Sequence, residues 1–338
     1  MNGTKTIELR ERREVAYDGT ATLVTARGDL NDDQALIRLG KKPVLKRSFG
    51  FMSIVGFSCT VLLTWEGLVV SSATQALLNG GPSGLIYGFL IDWIGTLSTF
   101  GTLAELASMA PTAGGQYHWV AMLAPSSSRR FLSYVTAWTT IAGWQALNAG
   151  NGFLLGSMIQ GLIALTHPNY VNKPWHTMLL FWAIMFAALL VNTGTNRALA
   201  RFEGIILILH LFGFFAILIP LVYLGPHGDA VSVFKNFMNN GGWSTKTLSF
   251  FVGLPASIFC LFGADGAVHM SEEIQHASIA VPQALMYSVI INGTLGFAMT
   301  IALMFCIGDI QAALDAQSTI GFPYLEIFFQ AVKSTWGA

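Results

Sequence analysis

The chain has 338 residues, of which 53% are hydrophobic and only 11% are charged, and its formal net charge is zero. Because an ordinary soluble domain carries about 25% charged residues, this composition excludes a water-soluble globular domain and predicts that most of the surface faces lipid. Ten of the eighteen basic residues fall within 1–47, so the rest of the chain shows no basic patch of the kind that binds nucleic acid.

The first 47 residues are polar, charged and poor in aromatic residues. This composition predicts a disordered tail at 1–47, followed by a transmembrane domain at 48–338. A helix needs roughly 20 apolar residues to cross a bilayer. Seven complete runs of this kind occupy 49–78, 84–109, 131–165, 175–192, 202–224, 248–270 and 282–307, and an eighth begins near Phe322.

The loops between these runs contain unequal numbers of Lys and Arg. With a cytoplasmic N-terminus, the cytoplasmic flanks hold eight basic residues and the external flanks hold three. Since basic residues accumulate on the cytoplasmic side of membrane proteins, we expect an integral multi-pass protein with its N-terminus in the cytoplasm.

Two of the runs contain a carboxylate beside a glycine, namely Glu66-Gly67 in the first and Asp265-Gly266 in the sixth. An ionisable residue inside a span is a candidate functional residue, and a glycine lets the backbone leave helical geometry and approach a ligand. Paired interrupted spans are typical of the substrate site of a secondary transporter. The freed N–H groups would suit a substrate carboxylate, and the freed carbonyls and side-chain carboxylates would suit an ammonium group. The alternative, a kinked helix with an ordinary buried carboxylate, stays open.

Polar residues in two other runs are further candidates. Trp144, Asn148 and Asn151 lie at i, i+4 and i+7, on one helical face, and would either line a solute cavity or join helices by hydrogen bonds. His210 is deep in the fifth run and would be either a proton carrier or a structural group. Structural roles account equally well or better for the remaining intramembrane ionisable residues, Asp92, Glu105, Glu203 and His269.

The three cysteines lie inside apolar runs, and the seven histidines show no pair at the spacing of metal ligands. We therefore expect no disulfide, metal or cofactor. Because no nucleophile and base occur together in a recognisable pattern, we do not expect an enzyme.

One stretch resembles a known superfamily. Residues 105–117, ELASMAPTAGGQY, are similar to the signature of the amino acid–polyamine–organocation permeases, an acidic residue followed by Pro-x-x-Gly-Gly-x-Tyr. The stretch 263–267, GADGA, followed by SEEI and then Val281-Pro282, resembles the sixth span of that superfamily and its exit loop. The sequences QYHW at 116–119 and GWQ at 143–145 are closest to the fungal amino acid, choline and GABA branch.

This resemblance implies an all-α fold of two inverted five-helix repeats, with the first and sixth spans unwound at 64–68 and 262–266. It implies that N–H groups at the first break bind a substrate carboxylate, that carbonyls at the second bind the amine, and that Phe259 or Phe262 closes over the substrate. His210 stands where several proton-coupled relatives have a lysine. The predicted substrate-binding residues are Thr64, Trp65, Glu66, Gly67, Leu68, Trp144, Asn148, Asn151, Phe259, Phe262, Gly263, Ala264, Asp265 and Gly266.

The function that this resemblance implies is proton-coupled uptake of amino acids, GABA, choline or similar amines across the fungal plasma membrane. The carboxylate of Glu66 would favour a cationic amine over a zwitterion. Because the sequence ends inside the eighth run, we expect an incomplete second repeat, which makes a non-transporting nutrient sensor or regulatory remnant the alternative. A seven-span receptor fits the number of runs but not the charge bias or the paired breaks.

Overall fold

The computed structural model describes residues 31–167, 169–194, 199–319 and 321–334, and it is an all-α membrane protein. The first span is a series of short helical pieces. It consists of α1 (Phe51–Leu62), α2 (Thr64–Gly67), a π-helical turn (Leu68–Ser72) and α3 (Ala73–Leu78).

The second to fifth spans are continuous helices, and the sixth is again divided. The elements from the second to the fifth span are α4 (Gly81–Met109), the short α5 (Gly115–Leu123), α6 (Arg129–Thr166), α7 (Pro174–Gly194) and α8 (Leu199–Leu224). The later elements are α9 (Ala230–Lys235), α10 (Lys246–Phe259), α11 (Gly266–His269), a 3-10 turn (Ser271–Glu273), α12 (Ala277–Phe305), α13 (Ile310–Thr319) and α14 (Pro323–Val332). Two antiparallel strand fragments, β1 (Asn79–Gly80) and β2 (Met238–Asn239), join two loops.

Each of the seven complete predicted runs coincides with a helix or an interrupted helix of the structure. Among the described residues, five helices are long and apolar enough to cross a membrane. The second span, α4, is not one of these five, although it has 29 residues. It contains Asp92 and several hydroxyl side chains, and it packs one side against other helices through Leu85, Ile86 and Phe89.

Helices α1, α4, α10 and α12 form the buried centre of the bundle. Their contacts depend on small residues: the indole of Trp93 on α4 lies over Gly293 of α12 and donates from Nε1 to the Val289 carbonyl at 2.9 Å. A Cβ placed on Gly293 would lie 1.8 Å from that Nε1, so only glycine lets the two helices meet here. Close packing through small residues is how membrane helices associate.

Helix α6 packs against α5 and α7, and much of its remaining surface is exposed. Gly152 and Gly156 face α7, where added Cβ atoms would lie 2.8 Å from the Phe181 ring and 3.2 Å from the Thr177 carbonyl. These two glycines therefore allow α6 and α7 to pack closely.

Residues 1–47 were predicted to be a disordered tail, of which 1–30 lie outside the described residues. The structure differs from this prediction over residues 31–47, which contact the rest of the protein. Residues 31–38 are helical, and Arg47 forms an ion pair with Asp33 at 2.8 Å with its own side chain nearly buried. Phe49 pairs with Ile274 as an isolated β-bridge. The backbone N–H of His276 donates to the Asp32 carboxylate at 2.8 Å, so this segment binds the loop that follows the sixth span.

Candidate functional site

The first span is interrupted at Leu63, which adopts left-handed dihedrals of φ 48° and ψ 39°. This is one residue before the predicted break at 64–68, and the prediction that Gly67 opens the helix is wrong. Gly67 is helical, and its N–H donates to the Leu63 carbonyl at 2.7 Å. A Cβ at Gly67 would lie 3.2 Å from the sulfur of Cys260, so this glycine instead allows the two broken spans to approach.

The sixth span is interrupted over residues 260–265, between α10 and α11. The prediction of a break at 262–266 is therefore confirmed, with Gly266 already the first residue of α11. Gly263 has φ +109°, and a Cβ there would lie 2.9 Å from a side-chain methyl of Val61. Only glycine satisfies both the backbone conformation and this close contact. The two breaks thus lie side by side.

A cavity of about 290 Å³ lies between the two breaks and α6, and we call it the central cavity. Its walls are mostly aliphatic and aromatic, and Glu66 is the one ionisable side chain among them, apart from the thiol of Cys260. The lining residues are Val61, Leu62, Leu63, Glu66, Gly67, Val70, Leu147, Asn151, Leu154, Leu155, Met158, Phe259, Cys260 and Phe262. Such a cavity suits a small solute with an apolar body and a positively charged group.

Glu66 is paired with His210, the other intramembrane candidate. The imidazole Nδ1 donates to the Glu66 carboxylate at 2.6 Å, with 2% of the histidine side chain and 27% of the glutamate side chain exposed. The ring of Trp65 lies between the histidine and Phe214, with ring centroids 5.9 Å and 6.0 Å away. The structure therefore joins two candidate residues that lie in different spans of the sequence.

A second cavity, of about 590 Å³, continues along α6 toward the end of the bundle that holds residues 31–49. Its acidic group is Asp265, which accepts a hydrogen bond from the amide of Gln116 on α5 at 2.8 Å. Three residues, Leu147, Phe259 and Phe262, line both cavities and form the wall between them. The other lining residues are Thr99, Phe100, Leu103, Thr139, Thr140, Gly143, Trp144, Ala146, Gly150 and Gly263.

The predicted substrate-binding residues are thus distributed over two compartments. Those in the central cavity are Glu66, Gly67, Asn151, Phe259 and Phe262, and those in the second are Trp144, Phe259, Phe262, Gly263 and Asp265. Gly266 lies beneath the Trp144 indole, which an added Cβ would approach to 3.2 Å.

The remaining predicted residues do not line either cavity. Thr64, Leu68 and Ala264 are completely buried in helix packing, Trp65 contacts His210, and Asn148 is exposed on α6. The face of α6 that lines the central cavity is instead Leu147, Asn151, Leu154 and Met158. Their helical spacing places these four residues on one face of α6. The sequence alone does not show whether an apolar face of a membrane helix lines a cavity or contacts lipid.

The other intramembrane ionisable residues line neither the central cavity nor the second cavity. Asp92 is buried on α4, and Glu105 is exposed near the end of the same helix. Glu203 accepts a hydrogen bond from Thr60 at 3.3 Å. His269 donates from Nδ1 to the Ala113 carbonyl at 2.9 Å, which ties α11 to the loop before α5.

An all-α membrane bundle with two adjacent interrupted spans around a cavity is an architecture typical of secondary transporters. The chain belongs to the amino acid permease family, whose model matches residues 49–338. It is 33% identical to a choline transporter of Saccharomyces cerevisiae over 87% of this chain and 52% of that relative. It is also 26% identical to a GABA-specific permease of the same yeast, over 97% of this chain and 58% of the relative. The chain therefore spans little more than half of the length of these curated relatives.

Proposed function

We propose that this chain takes part in secondary active transport of a small amine or amino acid, in the class of GABA, choline and related solutes. The observation that supports this most directly is Glu66, which follows the first break and faces the central cavity while its carboxylate binds His210. The names of the relatives, a choline transporter and a GABA-specific permease, are consistent with an amine as the common chemical group.

The central cavity suggests how an amine would be held. Its ammonium group would lie at the Glu66 carboxylate, and Phe259 and Phe262 offer aromatic rings that, being partly exposed, would each add about 0.5 to 1 kcal/mol to binding of a cation. A zwitterionic substrate would place its carboxylate at the backbone N–H groups after Leu63, which have no side-chain cap. We infer that Glu66 favours substrates with a net positive charge.

His210 is the residue we propose for proton coupling. Imidazole gains and loses a proton in the physiological pH range, and this ring is hydrogen-bonded to the carboxylate that faces the substrate. Protonation of the ring changes the net charge of the pair from negative to neutral. The proton and the substrate would therefore act on the same carboxylate.

The wall of Leu147, Phe259 and Phe262 separates the central cavity from the second cavity, and we propose that substrate passes this wall during transport. The second cavity opens toward the end of the bundle that holds residues 31–49, which the distribution of basic residues places in the cytoplasm. We therefore infer release toward the cytoplasm, from a protein of the plasma membrane.

Reconstituted vesicles test this proposal. The purified chain should take up radiolabelled GABA, choline or an amino acid when the outside is acidic, and an uncoupler should abolish accumulation. His210→Ala should remove the dependence of uptake on external pH. Binding of these solutes without any uptake would contradict transport and support the sensor alternative, and full pH dependence in His210→Ala would contradict the coupling role.

A further inference from the structure

A third compartment, of about 240 Å³, lies behind Glu66 on the side opposite the central cavity, and we call it the side pocket. It is formed where the first span meets α8. Glu66 lines both the side pocket and the central cavity. His210 lines the side pocket but not the central cavity. The lining residues are Thr60, Leu63, Trp65, Glu66, Ile206, Leu209, His210 and Gly213.

Three polar atoms on residues that line the side pocket have unmet hydrogen-bonding capacity. Trp65 Nε1, Glu66 Oε2 and His210 Nε2 are buried and have no hydrogen-bond partner among the described residues. A buried polar atom without a partner is unfavourable, and a water molecule in an adjoining cavity relieves this. The volume of the side pocket is sufficient for several water molecules. We therefore infer that it is hydrated.

The same face of α8 carries a second carboxylate, Glu203, two helical turns before His210. The hydroxyl of Thr60, which lines the side pocket, has two acceptors within reach, the Glu203 Oε2 at 3.3 Å and the Phe57 carbonyl at 3.1 Å. Glu203 is half-buried in the first turns of α8, and its backbone carbonyl is close to Gly56 of α1. It therefore lies nearer than His210 to the end of the bundle that holds residues 31–49.

We propose that Thr60 and Glu203 complete a proton path from His210 to the solvent on the side of the N-terminal segment. The histidine imidazolium gives its proton to water in the side pocket and becomes neutral. The Thr60 hydroxyl accepts a proton from that water and donates its own to the Glu203 carboxylate, which releases it to bulk solvent. This inference rests on the proposed coupling role of His210, and it assigns to Glu203 a function other than a structural one.

Few other charged groups face this path. Among the described residues, α1 and α12 contain no Asp, Glu, Lys, Arg or His, and α2 contributes Glu66 alone. Helix α14, which also packs on α8, has Glu326, and this side chain accepts a hydrogen bond from Gln330. The path therefore has two carboxylates and one imidazole as its titratable members.

Proton exchange at His210 tests the path whether or not the chain turns over substrate. The chain with 15N-labelled histidine is placed in phosphatidylcholine nanodiscs, and the His210 resonance is identified by its loss in His210→Gln. Across a pH titration, line broadening gives the rate of exchange between the two protonation states. We expect Glu203→Gln and Thr60→Val to slow this exchange at least tenfold and Glu203→Asp to restore most of it.

Glu105→Gln is the matched control, because it removes an exposed carboxylate at the same end of the bundle. It should leave the exchange rate unchanged. Unchanged exchange in both Glu203→Gln and Thr60→Val would overturn the path. If Glu203→Gln slowed exchange and Glu203→Asp did not restore it, the path would also be overturned, because Glu203 would then have a packing role. Neither result affects the coupling role of His210, which fails separately if His210→Ala keeps its pH-dependent uptake.

Discussion

The two broken spans use the same residue types in different ways. Each has a carboxylate followed by a glycine, and each leaves helical geometry through a residue with positive φ, Leu63 in the first span and Gly263 in the sixth. In the first, the carboxylate of Glu66 is bound by an imidazole from another membrane helix. In the sixth, the carboxylate of Asp265 is bound by an amide from the short helix α5.

This difference in partner indicates a difference in role. An imidazole changes its charge with pH, whereas the amide of Gln116 has no charge to change, so Asp265 has a partner of fixed charge. Glu66 also faces the smaller and more enclosed cavity, where an electrostatic contact is screened less by water. The comparison predicts that substrate charge is recognised at the first break and that the second break mainly shapes the path.

The largest effect should come from neutralising the first carboxylate. Glu66→Gln keeps an acceptor for His210 but removes the charge, so we expect binding of choline to weaken by about 30- to 150-fold, or about 2 to 3 kcal/mol. Asp265→Asn should weaken the same binding by less than about threefold. Isothermal titration calorimetry on the purified chain in nanodiscs measures both changes.

GABA serves as the zwitterionic control for that experiment. Its binding should weaken less than that of choline in Glu66→Gln, because its own carboxylate offsets the charge of its ammonium group. Equal losses for the two ligands, or equal losses in Glu66→Gln and Asp265→Asn, would show that the two breaks do not differ in charge recognition.

The glycines of the two breaks give the next largest effect, on stability. Gly263→Ala places a Cβ at φ +109° and 2.9 Å from Val61, so we expect a loss of about 1 to 3 kcal/mol in the free energy of unfolding. Gly67→Ala lies in a helix, where alanine is favoured by about 1 kcal/mol, and needs the Cys260 sulfur to move only slightly. Its net effect should be within about 1 kcal/mol, and urea or thermal unfolding in mild detergent compares the two variants. Similar losses in both would contradict the distinction.

Much of this architecture could be predicted from the sequence because it depends on composition. Seven apolar runs of sufficient length predicted seven spans, and the acidic residue and glycine near 265 predicted the second break. The first break was misplaced because its positive φ occurs at Leu63, a residue whose side chain disfavours that conformation. Tertiary packing, including that of α2 against α12, rather than local preference, holds the chain in this shape.

The site was harder to predict because the residues in contact are distant in sequence. Glu66 and His210 are 144 residues apart, and each alone had an ordinary structural interpretation. The division of the predicted residues into two cavities depends on how Phe259 and Phe262 are oriented by the second break, which no local pattern reveals. Asn148 was predicted to bind substrate because it lies four residues after Trp144. Four residues of an α-helix turn by about 40° more than one full turn, and at this position Asn148 lines neither cavity.

The smallest expected effect distinguishes the two amides of α6. Asn151 lines the central cavity on the wall opposite Glu66, whereas Asn148 lines neither cavity and is exposed. One hydrogen bond contributes about 0.5 to 1.5 kcal/mol, so Asn151→Ala should weaken choline or GABA binding by about two- to tenfold, and Asn148→Ala by less than twofold. The same calorimetric titration measures both, and each variant controls for the other because both remove an amide from one helix. An equal loss in Asn148→Ala would mean that this side of α6 also contacts substrate, and the central cavity would then extend farther around the helix than its present walls.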